Sequence, residues 1–318
     1  MGDAFKAVKV SDRIYWVGAI DWGLRNFHGY LTSRGSTYNA YLILGDKVTL
    51  VDTVKPQFYD EMLARISSVI DPDEIENVVC NHVEMDHSGA LPRLLHAHRP
   101  SKLYASTKGV EALAQHFHWD QEVESVTSGD RLELGGATLS FVETRMLHWP
   151  DSMFIFLEEE GVLFTNDAFG MHMASAERFA DEIDPWVLRY EGAKYYANIL
   201  LHLSPIVRKL IEKLPSLGLD ISMIAPDHGP IWRADWQRIV DWYAEWSIRR
   251  PTNKAVLVYD SMWQSTGQMA RAVADGLAAG KGVTPITRLA GSHGSDRGRA
   301  VLGAGGQPGR ARWAADHV

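Results

Sequence analysis

The stretch VVCNHVEMDHSGALP, residues 78–92, places two histidines and two carboxylates within six positions. The apolar residues that lead into it, IENVVC, predict a strand, and SGALPRLLHAH predicts a helix with Ser88 as its N-cap. The cluster is therefore expected on the loop between a strand and a helix. Imidazoles and carboxylates packed as H-x-E-x-D-H indicate a metal site, with the potential ligands His82, Glu84, Asp86 and His87.

Composition sets limits on the class of protein. The 318 residues are enough for one large domain and a smaller one, and 46% hydrophobic with 23% charged residues is typical of globular proteins. A net charge of −8 argues against nucleic acid as a general partner. The single cysteine, Cys80, excludes an intramolecular disulfide and disfavours thiolate metal sites. With no apolar signal core and no membrane-length stretch, the sequence predicts a cytoplasmic protein without a membrane partner.

Three further potential ligands follow predicted strands later in the chain. His148 lies in LHWPDS after TLSFVETRML, Asp167 lies in FTNDAFG after GVLFT, and His228 lies in APDHGP after ISMIAP. Each occupies a point where a strand gives way to a loop, where active-site residues of layered folds are often found. Together with the first four side chains they are sufficient to complete the shells of two metal ions.

The order of predicted elements separates two regions. Up to about residue 250, short strands and amphipathic helices predict two sheets with helices outside them. A second region, 251–318, begins with NKAVLVYDSMWQSTGQMARAVADGLAAG, a strand, loop and helix of the kind that opens a doubly wound parallel sheet. After about Lys281 the chain is rich in Gly and Arg, with few apolar residues. We therefore expect a partial domain there, truncated or aberrant after that point.

The signature, followed by a later His, Asp and His, resembles that of the metallo-β-lactamase superfamily, whose fold is an α/β structure, an αβ/βα sandwich with a binuclear metal site. Hydrolases of that superfamily usually carry His where this chain has Glu84. With DWGLRNFHGY, GSTYNAYLI, LHWPDS and FTNDAFGMH, this substitution resembles the flavodiiron protein family over about residues 5–280. In that family a flavodoxin-like domain follows the sandwich, and the enzymes reduce dioxygen to water, nitric oxide to nitrous oxide, or both.

The resemblance implies a diiron centre. The residues implied for one iron are His82, Glu84 and His148, and those for the other are Asp86, His87 and His228, with Asp167 bridging the two. In some family members the residue that matches His87 swings away and water replaces it, so the resemblance implies His87 as a ligand in only part of the family. A carboxylate in place of an imidazole makes the site harder and more anionic, which suits iron better than a zinc hydrolase site.

The stretch YDSMWQST, residues 259–266, resembles the loop that binds the flavin phosphate in this family. Its amides and the following helix N-terminus suit a dianionic phosphate. The resemblance implies contacts to FMN from Ser261, Met262, Trp263, Gln264, Ser265 and Thr266. The loops that enclose the flavin ring come from later strands, which the sequence after Lys281 does not provide, so stable FMN binding is expected of the full-length family rather than of this chain alone.

Four more residues enter through the resemblance. His28 and Tyr30 in RNFHGY match positions that could donate hydrogen bonds to bound intermediates, with a packed aromatic turn as the alternative. Trp149, beside a proposed ligand, is expected to wall the gas pocket. For His172 the resemblance leaves open a place near the flavin of a partner subunit.

The predicted function is a flavodiiron-type oxidoreductase that reduces dioxygen, nitric oxide or both, acting as a head-to-tail homodimer. The sequence has no C-x-x-C pair, so electrons are expected from a separate donor, a rubredoxin-like protein or a flavin reductase. Two alternatives remain open at this point. One is a zinc-dependent hydrolase of the metallo-β-lactamase superfamily. The other is a catalytically silent metal-binding relic without a working flavin domain.

Overall fold

The computed structural model describes residues 5–280 and the strand 284–289. The chain divides into two compact units. Among the described residues, unit 1 comprises 5–28 and 32–249, and unit 2 comprises 29–31, 250–280 and 284–289. The assignment of these regions as a diiron domain and a partial flavodoxin-like domain stays a prediction. Within the described residues, no helix combines the length and the apolarity needed to cross a membrane.

The described strands are short. In chain order they are β1 (Val8–Lys9), β2 (Ile14–Trp16), β3 (Ala19–Asp21), β4 (Asn26–Phe27), β5 (Tyr30–Leu31), β6 (Ser36–Tyr38), β7 (Tyr41–Ile43), β8 (Thr49–Val51), β9 (Asn77–Cys80), β10 (Lys102–Ser106), β11 (Glu124–Val126), β12 (Arg131–Glu133), β13 (Thr138–Glu143), β14 (Met153–Leu157), β15 (Val162–Phe164), β16 (Met223–Ala225), β17 (Lys254–Tyr259) and β18 (Thr284–Leu289).

Eight α-helices lie in the described part of the chain. They are α1 (Tyr59–Ser67), α2 (Met85–Ser88), α3 (Leu91–His98), α4 (Thr107–Phe117), α5 (Pro185–Tyr195), α6 (Ser204–Lys213), α7 (Gln237–Ser247) and α8 (Ser265–Ala279). Short 3₁₀ turns occur at Pro56–Phe58, Pro72–Glu74, Ala180–Glu182, Leu201–Leu203 and Leu214–Leu217. A π-helical turn, Tyr196–Leu200, continues α5.

Two sheets form the centre of unit 1. The first has the strand order β1-β2-β7-β8-β9-β10-β11, antiparallel from β1 to β8 and parallel from β8 to β11. The second has the order β12-β13-β14-β15-β16, antiparallel except for the parallel pair β15 and β16. The predicted strand IENVVC is confirmed by β9, which lies inside the first sheet between β8 and β10.

Successive residues of β9 pack into two different cores. Val78 belongs to a core shared with Met62 of α1 and Leu94 of α3. Val79 belongs to a second core shared with Phe141 and Ile155 of the other sheet. This alternation follows from the period of two along a strand, and it makes β9 apolar on both faces because both faces are covered. Unit 1 is therefore a sandwich of two sheets with helices outside, which confirms the predicted fold class.

The predicted N-cap at Ser88 is wrong. Ser88 is the last residue of the one-turn helix α2, and its hydroxyl donates to the carbonyl of Val83 at 2.6 Å. The longer helix α3 begins at Leu91 after Ala90, with Pro92 in its first turn and no side-chain cap. The extra turn places Asp86 and His87 in the interior, where both are buried.

Unit 2 contains β17, α8 and β18 among its described residues, and the two strands pair in parallel with Val256 opposite Ile286. Apolar side chains remain exposed on both the strand and the helix, with Val258 67% and Met269 68% exposed. Except for 284–289, the segment predicted to be aberrant after about residue 281 lies outside the described residues.

Candidate metal centre

The seven predicted ligands lie on four segments that connect strands, and two of them, Asp86 and His87, are on the one-turn helix α2 within the first segment. Residues 82–87 follow β9 of the first sheet. Asp167 follows β15 and His228 follows β16, two parallel strands whose carboxyl ends lie side by side. His148 precedes β14, which runs antiparallel to β15 and so begins at the same edge. The structure thus brings together side chains that are up to 146 positions apart in the sequence, from His82 to His228.

The first group consists of His82, Glu84, His148 and Asp167, whose potential ligand atoms all lie within 4.8 Å of one another. The Nε2 atom of His82 is 3.4 Å from Glu84 Oε2 and 3.4 Å from Asp167 Oδ2. The Nε2 atom of His148 is 3.3 Å from Glu84 Oε2 and 2.9 Å from Asp167 Oδ2. Two imidazole nitrogens and two carboxylate oxygens therefore converge on one small volume.

The second group consists of Asp86, His87 and His228, which also meet the 4.8 Å criterion and are all buried. Asp86 Oδ2 is 3.5 Å from His87 Nε2 and 3.3 Å from His228 Nε2. The other oxygen of Asp167, Oδ1, is 3.3 Å from each of these two nitrogens. The Asp167 carboxylate therefore turns one oxygen toward each group.

Many of the converging atoms lack a hydrogen-bond partner among the described residues. Buried polar atoms are normally hydrogen-bonded, so a cluster of unpartnered atoms calls for a ligand that would satisfy them. Divalent cations bind both imidazole nitrogen and carboxylate oxygen, and they fit this donor set. The unpartnered atoms are His82 Nε2, Glu84 Oε2, Asp86 Oδ1 and Oδ2, His87 Nε2, Asp167 Oδ1 and His228 Nε2.

Groups behind the site orient two of the imidazoles. The Nδ1 atom of His82 lies 3.0 Å from Asp151 Oδ2, which also accepts from the backbone N–H of Val83 at 2.7 Å. The Nδ1 atom of His228 donates to the carbonyl of Thr37 at 2.6 Å. A proton held on Nδ1 leaves the lone pair on Nε2, so both rings present an electron pair to the centre.

The electrostatics of the cluster are those of opposite charges in close contact. Burial raises the pKa of Asp167, but hydrogen bonds from His148, His82 and His87 outweigh it and hold that pKa well below its usual range. Burial lowers the pKa of His87, but Asp86 and then Asp167 raise it to about 10. The carboxylates are therefore ionised, and metal binding would displace protons from the imidazoles.

The predicted residues around the ligands have different surroundings. His28 has a positive φ of 50°, and its Nε2 atom is 3.1 Å from Glu84 Oε1. The ring of Trp149 is half-buried and stands perpendicular to that of His82, at 5.4 Å between centroids. Tyr30 lies on β5 and is buried. The roles of these three residues in catalysis stay predictions.

Sequence reasoning missed side chains that contact the ligands from behind. Asp151 and Asp227 each lie within three positions of a predicted ligand, in LHWPDS and APDHGP, and a carboxylate so close to a ligand was the available signal.

His172, for which the resemblance left open a place near the flavin of a partner subunit, is buried, with its ring 4.4 Å from that of His228 and its Nδ1 atom 2.9 Å from Ser36 Oγ. The place near a partner's flavin stays a prediction. Burial, and then His228 and His28, lower the pKa of His172 well below its usual range.

The predicted flavin loop lies before α8 in unit 2. The N–H of Gly267 donates to Ser261 Oγ at 3.3 Å, and Gln264 precedes the helix with a φ of 65° and no side-chain cap. Met262 and Trp263 are 82% and 85% exposed. A helix N-terminus can bind a phosphate, but FMN contacts by this loop stay a prediction.

Comparisons with known proteins agree with the geometry. A family model described as ODP family beta lactamase matches residues 37–229. A nitric oxide reductase of Moorella thermoacetica is 43% identical over 300 residues, covering 93% of this chain and 75% of the relative. A rubredoxin-oxygen oxidoreductase of Megalodesulfovibrio gigas is 47% identical over 274 residues, covering 85% of this chain and 68% of the relative. The structure of the flavodiiron protein from Giardia intestinalis superposes with a TM-score of 0.84 at 34% identity, over 91% of this chain and 71% of that one. These findings confirm the resemblance, and the chain belongs to the flavodiiron protein family.

Proposed function

We propose that this chain is a flavodiiron-type oxidoreductase that reduces dioxygen to water, nitric oxide to nitrous oxide, or both, at a non-haem diiron site. The observation that carries the proposal is the Asp167 carboxylate, which presents Oδ2 to one ligand group and Oδ1 to the other. A carboxylate shared in this way suits two cations held close together. Relatives at 43% and 47% identity are named nitric oxide reductase and rubredoxin-oxygen oxidoreductase.

The proposed ligands divide into two shells. The first iron would be held by His82, Glu84 and His148, the second by Asp86, His87 and His228, and both by Asp167. Bound ferrous ions would supply electrons and open coordination positions for a diatomic gas. Two ferrous ions carry two electrons, enough to couple two molecules of nitric oxide, whereas reduction of dioxygen to two waters takes four.

The chain's own residues position the ligands and exclude water. Asp151 accepts a hydrogen bond from Nδ1–H of His82 and so leaves the Nε2 lone pair of that ring available to a metal. His28, with Nε2 3.1 Å from Glu84 Oε1, contacts a proposed ligand at the edge of the cluster and would help to orient its carboxylate. The indole of Trp149 covers the side of the site formed by His82, and its half-buried ring would keep bulk water from that imidazole.

Glu84 is the residue that favours iron over the alternative, a zinc hydrolase. Its Oε2 atom lies 3.3 Å from His148 Nε2 and 3.4 Å from His82 Nε2, in the middle of the first group. An oxygen ligand at this position makes the site harder and more negative than an imidazole would. Measurement of the metal bound when iron and zinc are both supplied separates the two functions.

The electron supply and the assembly are also proposed. We propose that electrons come from a separate rubredoxin-like protein or flavin reductase, and that the active assembly is a head-to-tail homodimer. The loop around Ser261 and the N-terminus of α8 support phosphate contacts to FMN. The described residues from 250 onward form two strands and one helix, which by themselves cannot cover both faces of a flavodoxin-like sheet. The chain by itself is therefore proposed to hold FMN weakly.

Anaerobic metal loading followed by a single turnover tests the function. The iron-loaded chain should contain about two irons, as a two-metal site requires. After chemical reduction, it should consume two nitric oxide molecules and release one nitrous oxide and one water, taking up two electrons and two protons. Asp12→Ala, which removes an exposed surface carboxylate, is the control and should behave as the wild type.

Two results would contradict the proposal. One is a metal content near zero with all seven ligands intact. The other is a chain that binds two irons yet, once reduced, leaves both gases unchanged, which is the behaviour expected of a catalytically silent relic.

A further inference from the structure

Asp227 is a buried carboxylate that the proposed metal ligands do not include. It is fully buried beside His228, and neither of its side-chain oxygens has a hydrogen-bond partner among the described residues. Its Oδ2 atom lies 3.7 Å from Nδ1 of His87, the ring nitrogen that faces away from the metal groups. A buried carboxylate without a partner is costly, so its orientation requires an explanation.

The backbone fixes where the Asp227 side chain can reach. Its N–H donates to the carbonyl of Asn166 at 2.8 Å, and its carbonyl accepts from the N–H of Asn39 at 2.7 Å. The side-chain amide of Asn39 also donates to the carbonyls of Pro226 and Gly229, on either side of the residue, at 2.6 and 3.0 Å. These hydrogen bonds fix the backbone at Asp227 and so limit the positions that its carboxylate can occupy.

His87 is held from the other side in the same way. Its carbonyl accepts from both the N–H and the hydroxyl of Thr53, at 2.8 and 2.5 Å. Its Nε2 atom faces Asp86 and Asp167, at 3.5 and 3.3 Å. Its Nδ1 atom has no hydrogen-bond partner among the described residues. One nitrogen of the ring therefore points to the metal groups and the other points to Asp227.

The first metal group contains a matched arrangement. His82 presents Nε2 to its metal group and Nδ1 to Asp151 at 3.0 Å, a direct hydrogen bond. The distance of 3.7 Å between His87 and Asp227 is longer than the usual 2.7–3.2 Å. A shift of about half an ångström, or one bridging water, would complete the same contact at the second group.

We propose that Asp227 is a positioning residue that accepts a hydrogen bond from the Nδ1–H group of His87 and thereby holds its Nε2 atom toward the second metal. The proposal rests on the proposed function for the existence of that metal site. Without Asp227, the Nδ1–H group of a ligating His87 would be buried with no acceptor, which favours a ring turned away from the metal. Asp227 would therefore decide whether His87 serves as a ligand.

The test compares cobalt affinity in five proteins: wild type, Asp227→Ala, Asp227→Asn, His87→Ala and the double variant His87→Ala with Asp227→Ala. Cobalt(II) is added to each metal-free full-length chain in competition with a chelator, and the two binding steps are resolved by visible absorbance. Asp227→Ala should weaken the second step by about ten- to a hundredfold, the usual effect of losing such an orienting partner. Asp227→Asn should restore part of the affinity, because its amide oxygen still accepts from Nδ1–H.

The double variant separates positioning from general damage. In the His87→Ala background, Asp227→Ala should cause no further loss, since the residue through which it acts is gone. An equal further loss in that background, or wild-type affinity in Asp227→Ala, would overturn the proposal. Asp151→Ala is the matched control and should weaken the first step, because Asp151 contacts His82 instead.

Failure of this proposal can be told apart from failure of the proposed function. Cobalt binding needs no gas turnover, so a wild type that binds two cobalt ions but reduces neither gas contradicts only the oxidoreductase function. A wild type that binds two cobalt ions and reduces a gas, together with Asp227→Ala that binds both ions equally well, contradicts only the Asp227 proposal.

Discussion

Replacing Asp167 with alanine should weaken both metals, and this outcome tests the proposed architecture most directly. Asp167 Oδ2 is 2.9 Å from His148 Nε2, and its Oδ1 is 3.3 Å from both His87 Nε2 and His228 Nε2. A residue that belonged to one metal alone would not present separate oxygens to both groups. The substitution therefore removes one proposed ligand from each shell.

The size of the effect follows from the number of ligands. Each shell has four proposed side chains once Asp167 is counted in both. Structural four-ligand zinc sites bind with about 10–16 kcal/mol, so an equal share is about 3 kcal/mol per ligand. At 1.4 kcal/mol per tenfold change, each metal should bind roughly a hundredfold more weakly. Loss of the shared negative charge, which offsets repulsion between the cations, acts in the same direction.

Chelator competition under anaerobic conditions measures both affinities, with circular dichroism to verify the fold. Glu84→Ala serves as the comparison, because Glu84 faces only the first group and should weaken one binding step more than the other. Asp167→Asn should be intermediate, since it keeps one oxygen and the side-chain volume. The reasoning would be refuted if Asp167→Ala bound both metals as tightly as the wild type, or lost one metal while the other was unaffected.

Three further outcomes are expected. Glu84→His should shift the metal bound from a mixture of iron and zinc toward zinc, measured by elemental analysis, because imidazole replaces a harder oxygen ligand; an unchanged ratio would count against this role of Glu84. Chelation should remove about 2.7 kcal/mol of stabilisation if free metal stands near a hundred times its Kd, which lowers the melting temperature of unit 1 by roughly 5–10 °C; equal melting curves with and without metal would contradict a buried site. After desalting, the flavin content measured by absorbance should be well below one FMN per chain, because Val258 and Met269 remain exposed in unit 2. Stoichiometric flavin with many turnovers would show that unit 2 is a working flavin domain.

The gross arrangement was accessible from the sequence because it depends on local patterns. Strand periodicity identified β9, and the order of strands and helices predicted two sheets with helices outside them. The αβ/βα sandwich itself was implied by the resemblance to a known family. The later ligand candidates, such as His148 and Asp167, were found because polar residues that end a buried strand are conspicuous. The positions of these candidates in space could be seen only from the second sheet, in which β15 pairs with β16. In that pairing Val162 lies opposite Met223, 61 positions later in the sequence.

Other features depended on contacts that no local pattern encodes. Ser88 was expected to cap a helix, but its hydroxyl donates to the carbonyl of Val83 instead. Asp151 and Asp227 were overlooked because the local sequence around an aspartate in a loop does not show whether its side chain is solvated or faces a buried imidazole. Only the packing of loops from both sheets shows that each faces a different histidine, His82 or His87.

The burial of so much charge links folding of unit 1 to the binding of cations. The three proposed carboxylate ligands, Glu84, Asp86 and Asp167, carry three negative charges among imidazoles in a largely buried site. Ionised groups removed from water cost several kcal/mol each unless opposite charge compensates them. Without metal, protonated imidazoles supply that compensating charge. Burial lowers the pKa of His148, but Asp167 and Glu84 outweigh burial and raise that pKa to about 9. Two divalent ions would supply four positive charges in place of those protons and would also satisfy the unpartnered oxygens. Protons on the imidazole nitrogens would therefore stabilise the fold in the absence of metal, and iron would replace those protons at the same nitrogens.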